Sequence, residues 1–307
     1  MKIAIMGAGG VGGYFGGRLA ASGADVAFVA RGGHLEAIRA GGLRVKSANG
    51  DVTVDPANAT DDPAAIGPVD IVLFATKLWA VEEAGAACKP LLKDGTGVVA
   101  FQNGVDATER LVPILGAQHV VGGVAAIGSV IERPGVIRHT GTMAGLQFGE
   151  LGGGTSARLE ALLKVCEAAG FDATIPGDID KAIWGKFALL APFSGLTAMT
   201  GRRIGPIRED AQLRAQLEAA VHEVVAVGAA KGVAINEAFV GRILGMIDGL
   251  PAEMTSSMAE DLERGNRLEL PWLSGAVVRL GAALGVPTPV HAEIVAALAP
   301  RQDGAGG

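Results

Sequence analysis

Ile3-Ala4-Ile5-Met6-Gly7-Ala8-Gly9-Gly10-Val11-Gly12 is the stretch that decides the fold. Four apolar residues form a short buried strand, and the glycines turn the chain into a helix. In such a unit Gly7 allows the tight turn, Gly9 lets the backbone approach a pyrophosphate, and Gly12 lets helix and strand pack closely. The helix N-terminus adds free N–H groups and the positive end of a dipole. Glycine is common in this chain, 47 of 307 residues, so the string alone is a weak signal. Its place at the head of a strand–turn–helix unit makes it an expectation of dinucleotide binding.

Asp25-Val26-Ala27-Phe28-Val29-Ala30 reads as the second strand, and it ends in Arg31. An acidic residue there would hold the ribose 2′-hydroxyl of NAD. An arginine accommodates the 2′-phosphate of NADP, so NADPH is the expected cofactor. The plainer reading of Arg31 is an ordinary surface arginine.

The length suffices for two domains, each with its own core. Apolar residues make up 49% and charged residues 19%, and the net charge is −6. No basic stripe is present, which argues against nucleic acid as the main partner. Cys88 and Cys166 stand far apart in helical contexts, and Cys166 shares an apolar stripe with Leu159, Leu162 and Leu163. The expectation is small core residues with no disulfide framework or metal-ligand spacing, which fits a reducing cytoplasm. The apolar stretch Phe187–Met199 contains Pro192 and Gly195 and is too short to span a bilayer. Glycines interrupt the N-terminal apolar run, so it does not read as a signal peptide. The Gly12–Gly16 pair means close helix packing, not a membrane dimer.

Strands alternate with helices through the first half. Val69–Ala75 is a buried strand ending at Thr76-Lys77, followed by a helix from about Val81 to Leu92. Gly97–Phe101 is another strand, ending at Gln102-Asn103-Gly104, and short strands are expected at 120–121, 136–137 and 146–148. This implies an α/β Rossmann-like, doubly wound, mostly parallel sheet. Thr155 or Ser156 caps a helix that stops near Gly170. From Asp180 the period is helical, with Leu213, Leu217, Val221, Val224 and Gly228 on one face. Pro251 is expected to open a helix carrying Met254, Met258 and Leu262. Further helices run from about Trp272 to Leu284 and Val290 to Leu298, and Asp303–Gly307 reads as a frayed tail. A boundary near Pro176-Gly177 gives an α/β nucleotide domain, 1–176, and an all-α domain, 177–307.

Ligands of open α/β sheets bind beyond the carboxyl ends of the strands, where the glycine turn, Arg31, Lys77 and Asn103 all fall. Asn103-Gly104 is also an ordinary turn dipeptide, and Lys77 an ordinary solvated lysine. Lys186 is a lone cation within Ile183-Trp184-Gly185-Lys186-Phe187-Ala188-Leu189-Leu190. It reads either as a snorkelling lysine or as a general acid whose pKa is lowered by partial burial. Glu269 lies between two leucines before a helix, where it can simply favour the helix N-terminus. Ser257 and Asp261 are four apart and read as helix-surface residues or as groups facing a cleft.

These segments together resemble the ketopantoate reductase (2-dehydropantoate 2-reductase) family over nearly the whole chain. The matching pieces are Gly7–Gly12, Ala30-Arg31 with His34-Leu35, Thr76-Lys77, Gln102-Asn103-Gly104, Trp184-Gly185-Lys186-Phe187, Leu196-Thr197-Ala198, Ser256-Ser257-Met258, Gly265–Glu269 and Gly285–Pro289. The resemblance implies an NADPH-dependent reductase whose helical domain is like the C-terminal domain of 6-phosphogluconate dehydrogenase, with substrate in the cleft between domains. It implies Lys186 as proton donor and Glu269 as an acidic partner touching substrate hydroxyl or nicotinamide ribose. Gly7, Ala8, Gly9, Gly10, Val11, Gly12, Arg31, Lys77 and Asn103 would hold the cofactor. Asn103, Lys186 and Ser257 would meet the substrate.

Ketopantoate-reducing members usually carry asparagines four and eight residues after the lysine. Here those substrate-binding positions are Leu190 and Ser194. Leucine removes a donor and an acceptor and offers an apolar wall instead. The expected activity is reduction of a 2-oxo acid to a 2-hydroxy acid, with ketopantoate to pantoate as the default. Alternatives are a bulkier or less polar 2-oxo acid, an imine, or a non-catalytic NADP-binding sensor; Lys186 and Glu269 argue against the sensor. A homodimer is compatible with the apolar helical domain.

Overall fold

The computed structural model describes residues 1–305. By internal contacts the chain divides into two compact units: residues 1–102 with 106–179, and residues 103–105 with 180 onward. The strands of the first unit are β1 (Lys2–Met6), β2 (Asp25–Val29), β3 (Leu43–Lys46), β4 (Val52–Val54), β5 (Ala59–Thr60), β6 (Ile71–Phe74), β7 (Gly97–Ala100), β8 (Val120–Arg133), β9 (Val136–Glu150) and β10 (Asp172–Thr174). Its helices are α1 (Gly10–Ala21), α2 (Gly32–Gly41), α3 (Val81–Ala87), α4 (Ala107–Leu115) and α5 (Ala157–Ala168).

The strands form one sheet in the order β4-β3-β9-β8-β7-β6-β1-β2-β5, with β10 beside β9. All its pairings are parallel except β3–β4 and β8–β9. Successive residues of β1 serve opposite faces, as the two-residue side-chain period requires. Ile3 and Ile5 join Tyr14, Phe15 and Phe28 in one cluster, while Ala4 and Met6 join Val72 and Phe74 in the other. Burial on both faces explains the continuous apolar runs of the central strands. β2 and β6 flank β1 on opposite sides, so the chain after β1 enters a topological switch point.

The second unit holds α6 (Ile179–Thr200, whose first residue counts with the first unit), α7 (Ile204–Glu209), α8 (Ala211–Ala230), α9 (Glu237–Asp248), α10 (Ser257–Glu263), α11 (Ser274–Leu284) and α12 (Pro289–Leu298). Trp184, Phe187, Ala188, Ala191 and Leu196 of α6 pack in one core with Leu217, Val221, Val224, Val277 and Ile294. At 22 residues, α6 is longer than the apolar stretch expected and is long and apolar enough to cross a membrane. Most of it is buried within the protein, the ordinary condition of a core helix.

Several expectations are corrected in detail. The helix expected to reach Leu92 ends at Ala87, and Lys89–Leu91 tightens to a 3-10 turn, because Pro90 has no N–H to continue the ladder. Pro251 does not open a helix: α10 starts at Ser257, where the Ser256 hydroxyl accepts the Ala259 N–H at 3.1 Å. Met254 therefore lies in the preceding loop, its carbonyl accepting the Ile204 N–H. The helix expected from Trp272 begins at Ser274, after a 3-10 turn over Leu270–Trp272. The short strands expected near 120, 136 and 146 are parts of one long β8–β9 hairpin. Within the described residues the tail is not frayed. Gln302 accepts the Leu268 N–H at 2.8 Å, and Ala305 donates to Gly265 at 2.9 Å; Gly306 and Gly307 lie outside the described residues. Cys88 and Cys166 are both buried free thiols, whose pKa burial pushes up to about 12.

Candidate active site

In the first unit the ends of β1, β2 and β6 deliver Gly7, Arg31 and Thr76 to a pocket of about 250 Å³. Gly7 has φ +98°, a conformation side chains disfavour, and the N–H groups of Gly7 and Ala8 both donate to the Val29 carbonyl. A side chain at Gly12 would collide with the Gly7 carbonyl oxygen and lie 2.8 Å from Ile5, so helix and strand touch there. At Gly9 nothing lies within 4 Å of where a side chain would be, leaving its backbone open. Thr76 lines the same pocket, and its hydroxyl is buried without a hydrogen-bond partner. An open backbone at the N-terminus of the 12-residue α1, beside an unsatisfied hydroxyl, fits the phosphates of a dinucleotide.

Arg31 lies at the pocket mouth, its Nη 2.8 Å from the carboxylate of Glu83. His34, another lining residue, joins two loops. Its Nδ1 accepts the Gly135 N–H at 3.1 Å, which assigns the proton to Nε2, donating to the Ala8 carbonyl at 2.9 Å. Sequence reasoning had His34 only as a matching residue, because no local pattern reveals a bond to Gly135. Lys77 is exposed, its ammonium 5.5 Å from the centre of the Trp79 ring and outside the pocket lining. Gln102 donates to the carbonyls of Phe74 and Thr76, fixing the end of β6.

In the second unit Lys186 projects from α6, and its Nζ donates to Asn103 Oδ1 at 2.8 Å. Burial pulls the Lys186 pKa down from its ordinary value to about 8, while the negative charge of Glu269 pushes back. Glu269 is itself buried, at 7% exposure, and precedes the 3-10 turn whose Trp272 N–H its carbonyl accepts. Lys186, Asn103 and Glu269 thus belong to one set of groups. Lys186 as a whole is half-buried, with its ammonium bonded to Asn103.

The remaining predicted residues are placed differently. Ser257 is exposed as the first residue of α10, and its neighbour Ser256 is bonded to Thr197 at 2.8 Å. Asp261 accepts from Asn266, which ties down the loop before Glu269. Leu190 is half-buried against the core. Ser194 lies within it at 1% exposure, its hydroxyl without a hydrogen-bond partner.

Two family descriptions match the chain: ketopantoate reductase PanE/ApbA over residues 3–153, and ketopantoate reductase PanE/ApbA C terminal over residues 178–302. The chain belongs to the ketopantoate reductase family. A 2-dehydropantoate 2-reductase of Mesorhizobium japonicum is 34% identical, covering 96% of each chain. An uncharacterized oxidoreductase of Bacillus subtilis is 30% identical over 97% of this chain and 98% of its own. The crystal structure of 2-dehydropantoate 2-reductase from Geobacter metallireducens superposes with TM-score 0.90 at 32% identity, covering 98% of this chain and 99% of that one. Ketopantoate reductase family members are oxidoreductases acting on CH–OH groups with a nicotinamide cofactor.

Proposed function

We propose that this protein reduces a 2-oxo acid to a 2-hydroxy acid with NADPH, 2-dehydropantoate to pantoate in pantothenate biosynthesis being the leading reaction. The observation that carries this reading is Lys186: a half-buried lysine with a pKa of about 8, oriented by Asn103 and faced by the charge of Glu269. A pKa near working pH suits proton donation to a carbonyl oxygen that gains negative charge. Bound NADPH supplies the hydride. The chain's own groups do the rest.

Backbone N–H groups of Gly9, Gly10 and Val11 hold the pyrophosphate, and Arg31 pairs with the 2′-phosphate. Lys77 and Asn103 contact the cofactor. Lys186 protonates the nascent alkoxide while Asn103 Oδ1 fixes the ammonium's direction. Glu269 keeps that ammonium charged and accepts from a substrate or ribose hydroxyl, and Ser257 offers its exposed hydroxyl to the substrate carboxylate. Residues 1–176 serve as the NADP-binding domain and 177–307 as the substrate and dimerisation domain.

A second reading is favoured by Leu190 and Ser194. One presents an apolar side chain where an amide would bond substrate, and the other is buried in the core. Both favour a less polar 2-oxo acid or an imine. The test is a panel of 2-oxo acids and imines, ketopantoate first, with consumption of NADPH followed by absorbance. Turnover of ketopantoate supports the leading reaction, and preference for an apolar 2-oxo acid the second. NADPH binding with no turnover of any carbonyl or imine refutes both and leaves a sensor.

A further inference from the structure

Helix α3 opens with two carboxylates, and the structure gives them different work. Glu82 is committed to Arg110, by bonds of 2.7 and 2.8 Å. Glu83 faces the nucleotide pocket, where its carboxylate lies 2.8 Å from Arg31. Arg31 stands at the end of β2, where the ribose 2′ substituent of a dinucleotide is discriminated. The cation that would meet a 2′-phosphate is thus already paired with an anion in the same pocket wall. Both side chains are about two-thirds exposed, 64% and 68%, so the pair opens readily and blocks nothing. An arriving phosphate must nevertheless share Arg31 with Glu83 and sit near a like charge. A bare 2′-hydroxyl meets no such repulsion, and it can donate to the carboxylate.

We propose that Glu83 is a specificity-determining residue that narrows the preference for NADPH over NADH by competing for Arg31. This rests on the reading of Arg31 as the 2′-phosphate ligand. The test is titration of the intact protein with NADPH and with NADH, following nucleotide fluorescence, for the wild type, Glu83→Gln and Arg31→Ala. Glu83→Gln is expected to tighten NADPH by about two- to fivefold at low salt, with the gain shrinking as salt is added, and to leave NADH unchanged or weaker. An unchanged or smaller ratio of NADPH to NADH affinity in Glu83→Gln, with Arg31→Ala still weakening NADPH, overturns the role of Glu83 alone. If Arg31→Ala leaves NADPH binding untouched, the 2′-phosphate reading falls and this proposal falls with it. Both substitutions are at exposed positions, so the variants keep the wild-type fold, and a thermal melt checks this.

Discussion

Lys186 and Asn103 are 83 positions apart in the chain, yet Lys186 Nζ donates to Asn103 Oδ1 at 2.8 Å. The bond gives the ammonium a fixed direction. Reduction needs the charged form, and the Lys186 pKa is about 8. The rate is therefore expected to be level below that pH and to fall as pH rises through about 8. The reverse oxidation needs the neutral amine and rises through the same value. Lys186→Ala should lower turnover by roughly a hundredfold or more. A change confined to KM would make Lys186 a binding residue.

Gly9 and Gly12 separate cofactor binding from stability. Gly12→Ala pushes a methyl into the Gly7 carbonyl and Ile5, so it should lower the melting temperature, by roughly 1–3 kcal/mol of stability or more. Gly9→Ala meets no protein atom and should leave the melt unchanged. Its methyl nevertheless crowds the open turn, so dinucleotide affinity should fall in an equilibrium titration. Equal melting losses for both variants would contradict this division.

Leu190→Asn restores an amide one helical turn beyond Lys186. If an apolar wall selects the substrate, the variant should gain kcat/KM for ketopantoate and lose it for apolar 2-oxo acids. Each change should be about tenfold or more, as expected for a site that gains or loses a hydrogen bond to its ligand. Measuring both substrates in one assay decides it.

His291 predicts the acid limit of stability. Its ring is fully buried beside the Ala220 carbonyl, and burial pulls its pKa from 6.5 to about 4. The unfolded chain therefore takes up the proton first, so stability is lost as pH falls from about 6.5 towards 4. The loss amounts to as much as ~3 kcal/mol. Glu223, which accepts the N–H groups of Val290 and His291, has its pKa raised by burial and works in the opposite sense. His291→Gln should flatten the fall of melting temperature between neutral pH and about pH 4.

The nucleotide half was legible because its constraints are local. Gly7, Gly9, Gly12 and Arg31 sit within one strand–turn–helix–strand unit, and each backbone demand leaves a residue type behind. The Lys186–Asn103 bond was not legible from the residues themselves. It joins distant segments, and a lysine amid apolar residues looks the same whether it snorkels or is buried. The start of α10 was misplaced because Pro251 resembles a helix opener, while the serine pair that sets the boundary could cap at either residue. The β8–β9 hairpin was seen only in fragments because glycines and small residues break its alternation.

The order of strands across the sheet also sets a schedule for making the protein. β1 needs β6, some seventy residues downstream, and β3 stays paired with β4 alone until β9 arrives, about ninety residues later. During synthesis the glycine turn at Gly7 emerges first, but β6, which completes its pocket, comes much later. The early strands must wait with apolar faces and unpaired edges open to other chains, so aggregation competes with folding until residue 150 has emerged.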